Sequence, residues 1–204
     1  LIARHRLTRR PVTVVPNAAD AVPARDRTRP DGVELVYMGS FMPYKGVDTL
    51  VAALHHLPGA RLHLLSRIPA GERDRLTAAA PAGSLVVHDG VDDAEYAALL
   101  DRATALVHAS REEGFGIPLV EAMGRGTPIV VADTDIFREI GGDTALYFPV
   151  DDAEGLAAAV RRLTQPGEWE RRSAAGPAEA ARFDWDASAA VLDRLLRELV
   201  STRR

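Results

Sequence analysis

Glu113 and Glu121 stand eight positions apart around a glycine turn that opens a helical pattern. Gly114 and Gly116 let the backbone approach a ligand closely, and Pro118 suits a first helical turn, where its missing N–H is not needed. An anion can rest on the amides of residues 116 to 119, because unpaired N–H groups and the helix dipole both favour negative charge there. Glu121, about one turn inside the helix, can accept two charge-assisted hydrogen bonds from a ribose diol. Glu113, ahead of the turn, can face a sugar beyond the phosphates. The chemistry that fits is recognition of a nucleotide-sugar.

A second candidate comes from composition. Of 25 basic residues only one, Lys45, is lysine. It follows a strand-like run and Gly39-Ser40 and precedes a helical pattern, the place where open α/β sheets bind ligands. An ammonium on a flexible stem is a suitable point charge for a diphosphate, and arginine is not its equivalent. The bland alternative is a solvated turn lysine.

The elements that must position these groups alternate regularly. Val12–Val15, Val33–Met38, Arg61–Leu65, Leu85–Val87, Ala105–Val107, Ile129–Val131 and Ala145–Phe148 have the short apolar pattern of strands. Helical spacing occupies Val47–Leu57, Gly71–Ala80, Asp93–Arg102, Pro118–Gly124 and Ala153–Leu163, with Asp92, Asp93 and Asp152 as candidate N-caps. Strands separated by helices predict a doubly wound α/β domain, a Rossmann-like parallel sheet with right-handed crossovers. Two further helices, near Glu168–Ala181 and Asp186–Leu199, follow the last strand without a strand between them. The second carries an apolar stripe at Val191, Leu192, Leu195, Leu196 and Leu199 that needs a surface to cover.

With 204 residues, 47% hydrophobic and 26% charged, the chain is ordinary for a globular domain. No apolar run reaches the roughly 18 residues of a membrane span. Cysteine is absent, which removes disulfides and thiolate metal sites and fits a reducing, cytoplasmic compartment. Residues 1 to 30 hold seven arginines against two aspartates, +5 of a net −4, so the remainder carries −9. Without a lysine cluster or interleaved aromatics, that segment reads as a solvated linker in preference to a nucleic-acid or lipid contact. Prolines at 16, 23 and 30 make 18–30 a hinge or extended connection.

The ordered set of motifs resembles the C-terminal, donor-binding half of retaining GT-B glycosyltransferases, the glycosyl transferases group 1. Val14 to Asp20 is similar to that family's hinge motif, Gly39 to Gly46 to its phosphate loop, and Glu113 to Glu121 to its paired-glutamate signature. Thr127 to Ala132 and Phe183 to Asp186 also match. The resemblance implies a hinge and first strand in residues 1–30, a donor domain in 31–204, and an N-terminal acceptor domain outside this chain. It implies Lys45 against the donor diphosphate, Glu113 against the transferred sugar and Glu121 on the ribose. Gly114, Phe115 and Gly116 would serve sugar hydroxyls through their backbone, with Ile117, Pro118 and Leu119 facing the phosphates. It also implies no metal and no cofactor, a nucleoside-diphosphate sugar as donor, and a saccharide or other small acceptor.

The chain departs from the family pattern in places. Ser40 stands where an arginine is usual, leaving one expected cation absent, for which Arg67 and Arg111 are candidate substitutes. Ser66-Arg67-Ile68 replaces a glycine pair, and the segment His88 to Val91 carries its glycine one place off, so Arg67 and Val91 are the candidates for base contact. The histidines show no metal spacing, His55 and His56 read as exposed, and His108 is a minor candidate for lining the site. A dinucleotide fingerprint is missing, and glycosidase chemistry would leave the phosphate cradle without a use. Asp133, Asp135 and Glu139 read as cap or surface residues. Two alternatives stay open: a nucleotide-binding module without catalysis, and a sugar-nucleotide epimerase.

Overall fold

The structure is a computed structural model that describes residues 12–20, 22 and 27–201. The six strands are β1 (Glu34–Met38), β2 (Arg61–Leu65), β3 (Leu85–His88), β4 (Ala105–His108), β5 (Ile129–Ala132) and β6 (Leu146–Phe148). They form one parallel sheet in the order β3-β2-β1-β4-β5-β6. β4 and β5 are buried along their whole length, as uninterrupted apolar strands covered on both faces must be. Strand order reverses between β1 and β4, so the crevice of the sheet opens at their carboxyl ends. The doubly wound α/β prediction holds.

The helices are α1 (Val47–Ala53), α2 (Ala70–Ala79), α3 (Asp93–Arg102), α4 (Ile117–Gly124), α5 (Asp135–Gly141), α6 (Ala153–Leu163), α7 (Glu168–Ala180) and α8 (Trp185–Ser201). Asp92 and Asp152 cap α3 and α6 by accepting from the backbone N–H groups of Glu95 and Gly155, each at 2.8 Å. Asp93 is instead the first residue of α3. The predicted helix over 47–57 stops at Ala53 and tightens into a 3₁₀ turn over Leu54–His56. Helix α5 has no counterpart among the predicted elements. Thr134 caps it, and the Arg138 side chain returns to pair with Asp133, so Asp133, Asp135 and Glu139 belong to the start and surface of a helix. Seven residues are too few for periodicity to reveal it.

Two expectations need correction. The run Val12–Val15 forms no strand; its valines are largely exposed, and the sheet ends at β3 and β6 without it. A strand is held by its ladder partner, and none lies beside this segment among the described residues. The linker is also more engaged than its composition suggests. Ala18 is buried, and the Arg27 guanidinium donates to Thr127 Oγ1 at 2.7 Å and to the Asp101 carbonyl at 2.6 Å while lying over the Trp169 ring. The basic run from Arg4 to Arg10 lies outside the described residues.

Helix α7 packs across α4, where the Gly176 backbone meets the Met123 carbonyl so closely that a Cβ would not fit. Trp169 on α7 is fully buried and donates from Nε1 to the Thr104 carbonyl at 2.9 Å. Helix α8 is tied down near its start by Ser188 Oγ, which donates to the Pro16 carbonyl at 2.9 Å. Leu192, Leu196 and Leu199 of its stripe are exposed, so within the described residues the stripe does not join the core. No described helix is long and apolar enough to cross a membrane.

Candidate functional site

Lys45 and Glu113 meet at the reversal point of the sheet. Lys45 ends a short 3₁₀ turn, Pro43–Lys45, that follows β1, and Glu113 lies in the loop between β4 and α4. Their side chains are only 11% and 12% exposed and form an ion pair. The Lys45 ammonium also sits 5.0 Å above the Tyr44 ring. Local sequence explains why the two loops converge. Gly46 has φ 67° and lies against the Ala109 carbonyl, where no Cβ fits, and the Arg111 N–H donates to the Tyr44 carbonyl at 2.8 Å. The loop after β1 is therefore locked to the loop after β4.

A small polar network supports Glu113 from below. Ser110 Oγ donates to Glu113 Oε1 at 3.2 Å and lies 2.9 Å from His108 Nδ1, while His108 Nε2 is 3.8 Å from the same carboxylate oxygen. His108 and Ser110 are both essentially fully buried. The His108 ring lies 5.0 Å from the Tyr37 ring and edge-on to Phe137 at 5.5 Å. Burial holds the His108 imidazole well below its ordinary pKa of 6.5, to about 4; Glu113 opposes this, Lys45 adds to it, and a hydrogen bond to the Met38 backbone opposes it. The ring is neutral at pH 7. Sequence reasoning ranked His108 low and missed Ser110, because only the return of the loop onto β4 brings these residues under Glu113.

The glycine turn is built as its spacing predicts. Gly116 caps α4 with φ 102°, without a side-chain cap, so the helix opens directly behind Glu113. Ile117 is exposed and Leu119 fully buried, which leaves only backbone from Leu119 to serve a ligand. Phe115 is a packing residue whose ring stands edge-on to Phe183 at 5.3 Å. Gly39 has no room for a Cβ beside the Tyr37 hydroxyl, and that hydroxyl donates to the Ser40 carbonyl at 3.0 Å, shaping the turn toward Lys45. Burial, then Glu113 and Tyr44, push the Tyr37 phenol far above its usual range, so it remains a donor.

Beyond Ser40 a cavity of about 560 Å³ opens at the carboxyl ends of β1, β2 and β3. It is lined by Gly39, Ser40, Ser66, Arg67, His88 and Val91, among others, which brings both base-contact candidates together with the candidate phosphate loop. Ser66 Oγ is buried there without a hydrogen-bond partner among the described residues. A cavity of about 670 Å³ lies at the opposite end of the same strands, among turn residues such as Gly32, Pro58, Gly59 and Gly83. It is remote from Lys45 and Glu113, and ligands of open α/β sheets bind at the carboxyl ends.

Glu121 lies apart from the Lys45–Glu113 pair, beside Tyr96 of α3. Burial raises its carboxyl pKa; Tyr96 and Arg125 oppose the rise, while Asp93 and Asp20 add to it. The Asp20 charge, in the linker segment, is near enough to act on this carboxyl. Of the two candidate substitutes for the absent arginine, Arg111 is held at the rim by Asp151, with Nε donating at 2.8 Å. Arg67 makes no ion pair among the described residues and lines the cavity. His55 and His56 are exposed, as expected.

Comparison with known proteins places the chain in a family. Residues 32–165 match the family described as Glycosyl transferases group 1. The chain is 33% identical over 198 residues to a phosphatidyl-myo-inositol mannosyltransferase of Mycolicibacterium smegmatis, covering 89% of this chain and 50% of that protein. It is 35% identical over 192 residues to a glycogen synthase of Mycobacterium tuberculosis, covering 85% of this chain and 45% of the other. A sucrose-phosphate synthase from Thermosynechococcus elongatus superposes with a TM-score of 0.75 at 28% identity, over 84% of this chain and 46% of that one. The chain thus spans about half the length of the curated relatives it matches. Its structural neighbours are GT-B glycosyltransferases. By sequence match and fold together, this chain belongs to the glycosyl transferases group 1 family.

Proposed function

We propose that the chain is the donor-binding half of a glycosyltransferase that moves a sugar from a nucleoside-diphosphate sugar to an acceptor, with retained anomeric configuration and without a metal. One observation carries the reading: the only lysine of the chain and the first signature glutamate converge at the switch point of the sheet, directly before the opening of α4. The diphosphate would lie between Lys45 and the α4 amides, the base in the cavity with Arg67 and Val91, and the ribose toward Glu121. The acceptor and the partner domain that brings it would complete the site from outside this chain.

In this reading the chemistry is electrostatic. As the diphosphate departs, negative charge grows on the leaving oxygen, and Lys45 with the α4 amides stabilises it more in the transition state than in the ground state. Glu113 orients the sugar and faces the positive charge that develops on its ring. Losing one such preorganised group costs roughly 10²- to 10³-fold in rate. Ser40, exposed where the family's arginine would stand, favours a second reading, a nucleotide-binding module without turnover.

Calorimetric titration with UDP, GDP and ADP in the absence of metal tests the donor site. Selective binding of one nucleotide, weakened by both Lys45→Ala and Glu121→Ala, is the expected result. A folded chain that binds none of the three, or binds equally well after both substitutions, would sink the assignment. Acceptor-dependent release of nucleoside diphosphate by the full-length protein separates transfer from the module reading.

A further inference from the structure

The Lys45–Glu113 ion pair has a consequence for any anion that claims Lys45. A diphosphate drawing the ammonium away leaves Glu113, a carboxylate only 12% exposed, without its cation. A buried charge stripped of its partner is strongly unfavourable unless other groups replace the lost contacts. Two groups are already in place: Ser110 Oγ, donating at 3.2 Å, and the His108 ring, with Nε2 at 3.8 Å from Glu113 Oε1 and Nδ1 at 2.9 Å from Ser110 Oγ. The loop has other anchors, the Gly46–Ala109 packing and the Arg111–Tyr44 backbone hydrogen bond.

We propose that His108 and Ser110 are positioning residues that take over Glu113 when Lys45 turns to the donor diphosphate, and that His108 binds a proton from solvent in that exchange. This deepens the donor-site reading and rests on it. The groups around His108 define the direction. Glu113 and Lys45 are the charged groups that face it, from the loop after β4 and the turn after β1; β1 also presents the Tyr37 ring, and α5 presents only the uncharged Phe137. Lys45 disfavours the imidazolium and Glu113 favours it. Pairing Lys45 with phosphate cancels the first influence and leaves the second, so the bound state holds more protons on His108 than the free state. The imidazolium then supplies Glu113 with the charge that Lys45 withdrew, and the carboxylate stays aimed at the sugar.

The experiment is calorimetric titration of the chain with UDP-glucose, GDP-mannose and ADP-glucose at about pH 5.5, in two buffers of different ionisation enthalpy, which counts protons exchanged on binding. Sugar nucleotides are suitable because their diphosphate is esterified at both ends and does not titrate there. Burial raises the Glu121 carboxyl pKa as well, so the reading is the difference between wild type and His108→Asn, which keeps a polar group near Nδ1 but cannot be charged. Wild type should take up more protons than His108→Asn by a measurable fraction, and Ser110→Ala should bind on the order of tenfold more weakly. Equal proton counts, or Ser110→Ala binding like wild type, overturn the proposal.

If His108→Asn does not fold, the ring-nitrogen chemical shifts of His108 in ¹⁵N-histidine wild type decide the matter. They should move toward the imidazolium form when the sugar nucleotide is added, and unchanged shifts overturn the proposal. Failure of the wild type to bind any of the three removes the donor-site reading and this inference together. Binding without the proton difference removes the inference alone.

Discussion

Gly46 packs its backbone against the carbonyl of Ala109, with φ 67° and no space for a Cβ. This contact joins the residue after Lys45 to the residue after β4, and so determines whether Lys45 reaches Glu113. Gly46→Ala should therefore destabilise the fold on the order of 3 kcal/mol, combining the left-handed conformational cost with the clash. Urea unfolding measures it. A loss within the error of wild type would mean that the loops are joined elsewhere.

The Lys45–Glu113 pair predicts strong coupling. Each partner is nearly buried, so Glu113→Gln alone leaves the Lys45 ammonium without its counter-charge, at a cost of about 3 kcal/mol, and Lys45→Met, which leaves Glu113 to Ser110 and His108, should cost less. The double substitution should recover most of that loss, because it removes both charges together. Additive losses in a double-mutant cycle would show that the two groups do not depend on each other. Binding and stability separate here: the double variant should fold well and bind nucleotide poorly.

Acid should weaken the fold through its histidines. Burial lowers the proton affinity of His108 in the folded state to about 4, and burial, then His63, lower that of His88, with Glu95 opposing. The unfolded chain then binds protons first as pH falls below 6.5, so stability is full above that value and declines toward pH 4. For His108 the full loss is on the order of 3 kcal/mol. Between pH 6.5 and 5, His108→Asn should flatten the slope of unfolding free energy against pH. An unchanged slope would assign the effect to other groups.

Arg27 offers a test of the linker. Its guanidinium satisfies the carbonyls of Leu100, Asp101 and Ala103 and the Thr127 hydroxyl, and lies 5.4 Å from the centre of the Trp169 ring. Arg27→Ala should cost about 2 kcal/mol, and Arg27→Lys should not restore it, because an ammonium cannot reproduce the planar fork. Thermal unfolding of the two variants distinguishes this clamp from the solvated linker that composition alone suggests.

The sequence by itself determined the layered architecture and marked the candidate site groups. Strand runs such as Ala105–Val107 and Ile129–Val131 are apolar because they are covered on both faces, and that necessity is written in their composition. Lys45, Glu113, Gly116 and Glu121 were legible because a glycine turn, a helix start and a lone lysine are local features with local causes. Tertiary structure alone decided what those groups touch. The ion pair of Lys45 with Glu113, the placement of His108 and Ser110 beneath it, and Tyr96 beside Glu121 join residues distant in sequence, through strand order and loop packing that no local pattern encodes. The same holds where expectation failed. Val12–Val15 has strand composition without a ladder partner, α5 is too short for its period to register, and Arg27 became a clamp because the fold carries four of its acceptors to one place.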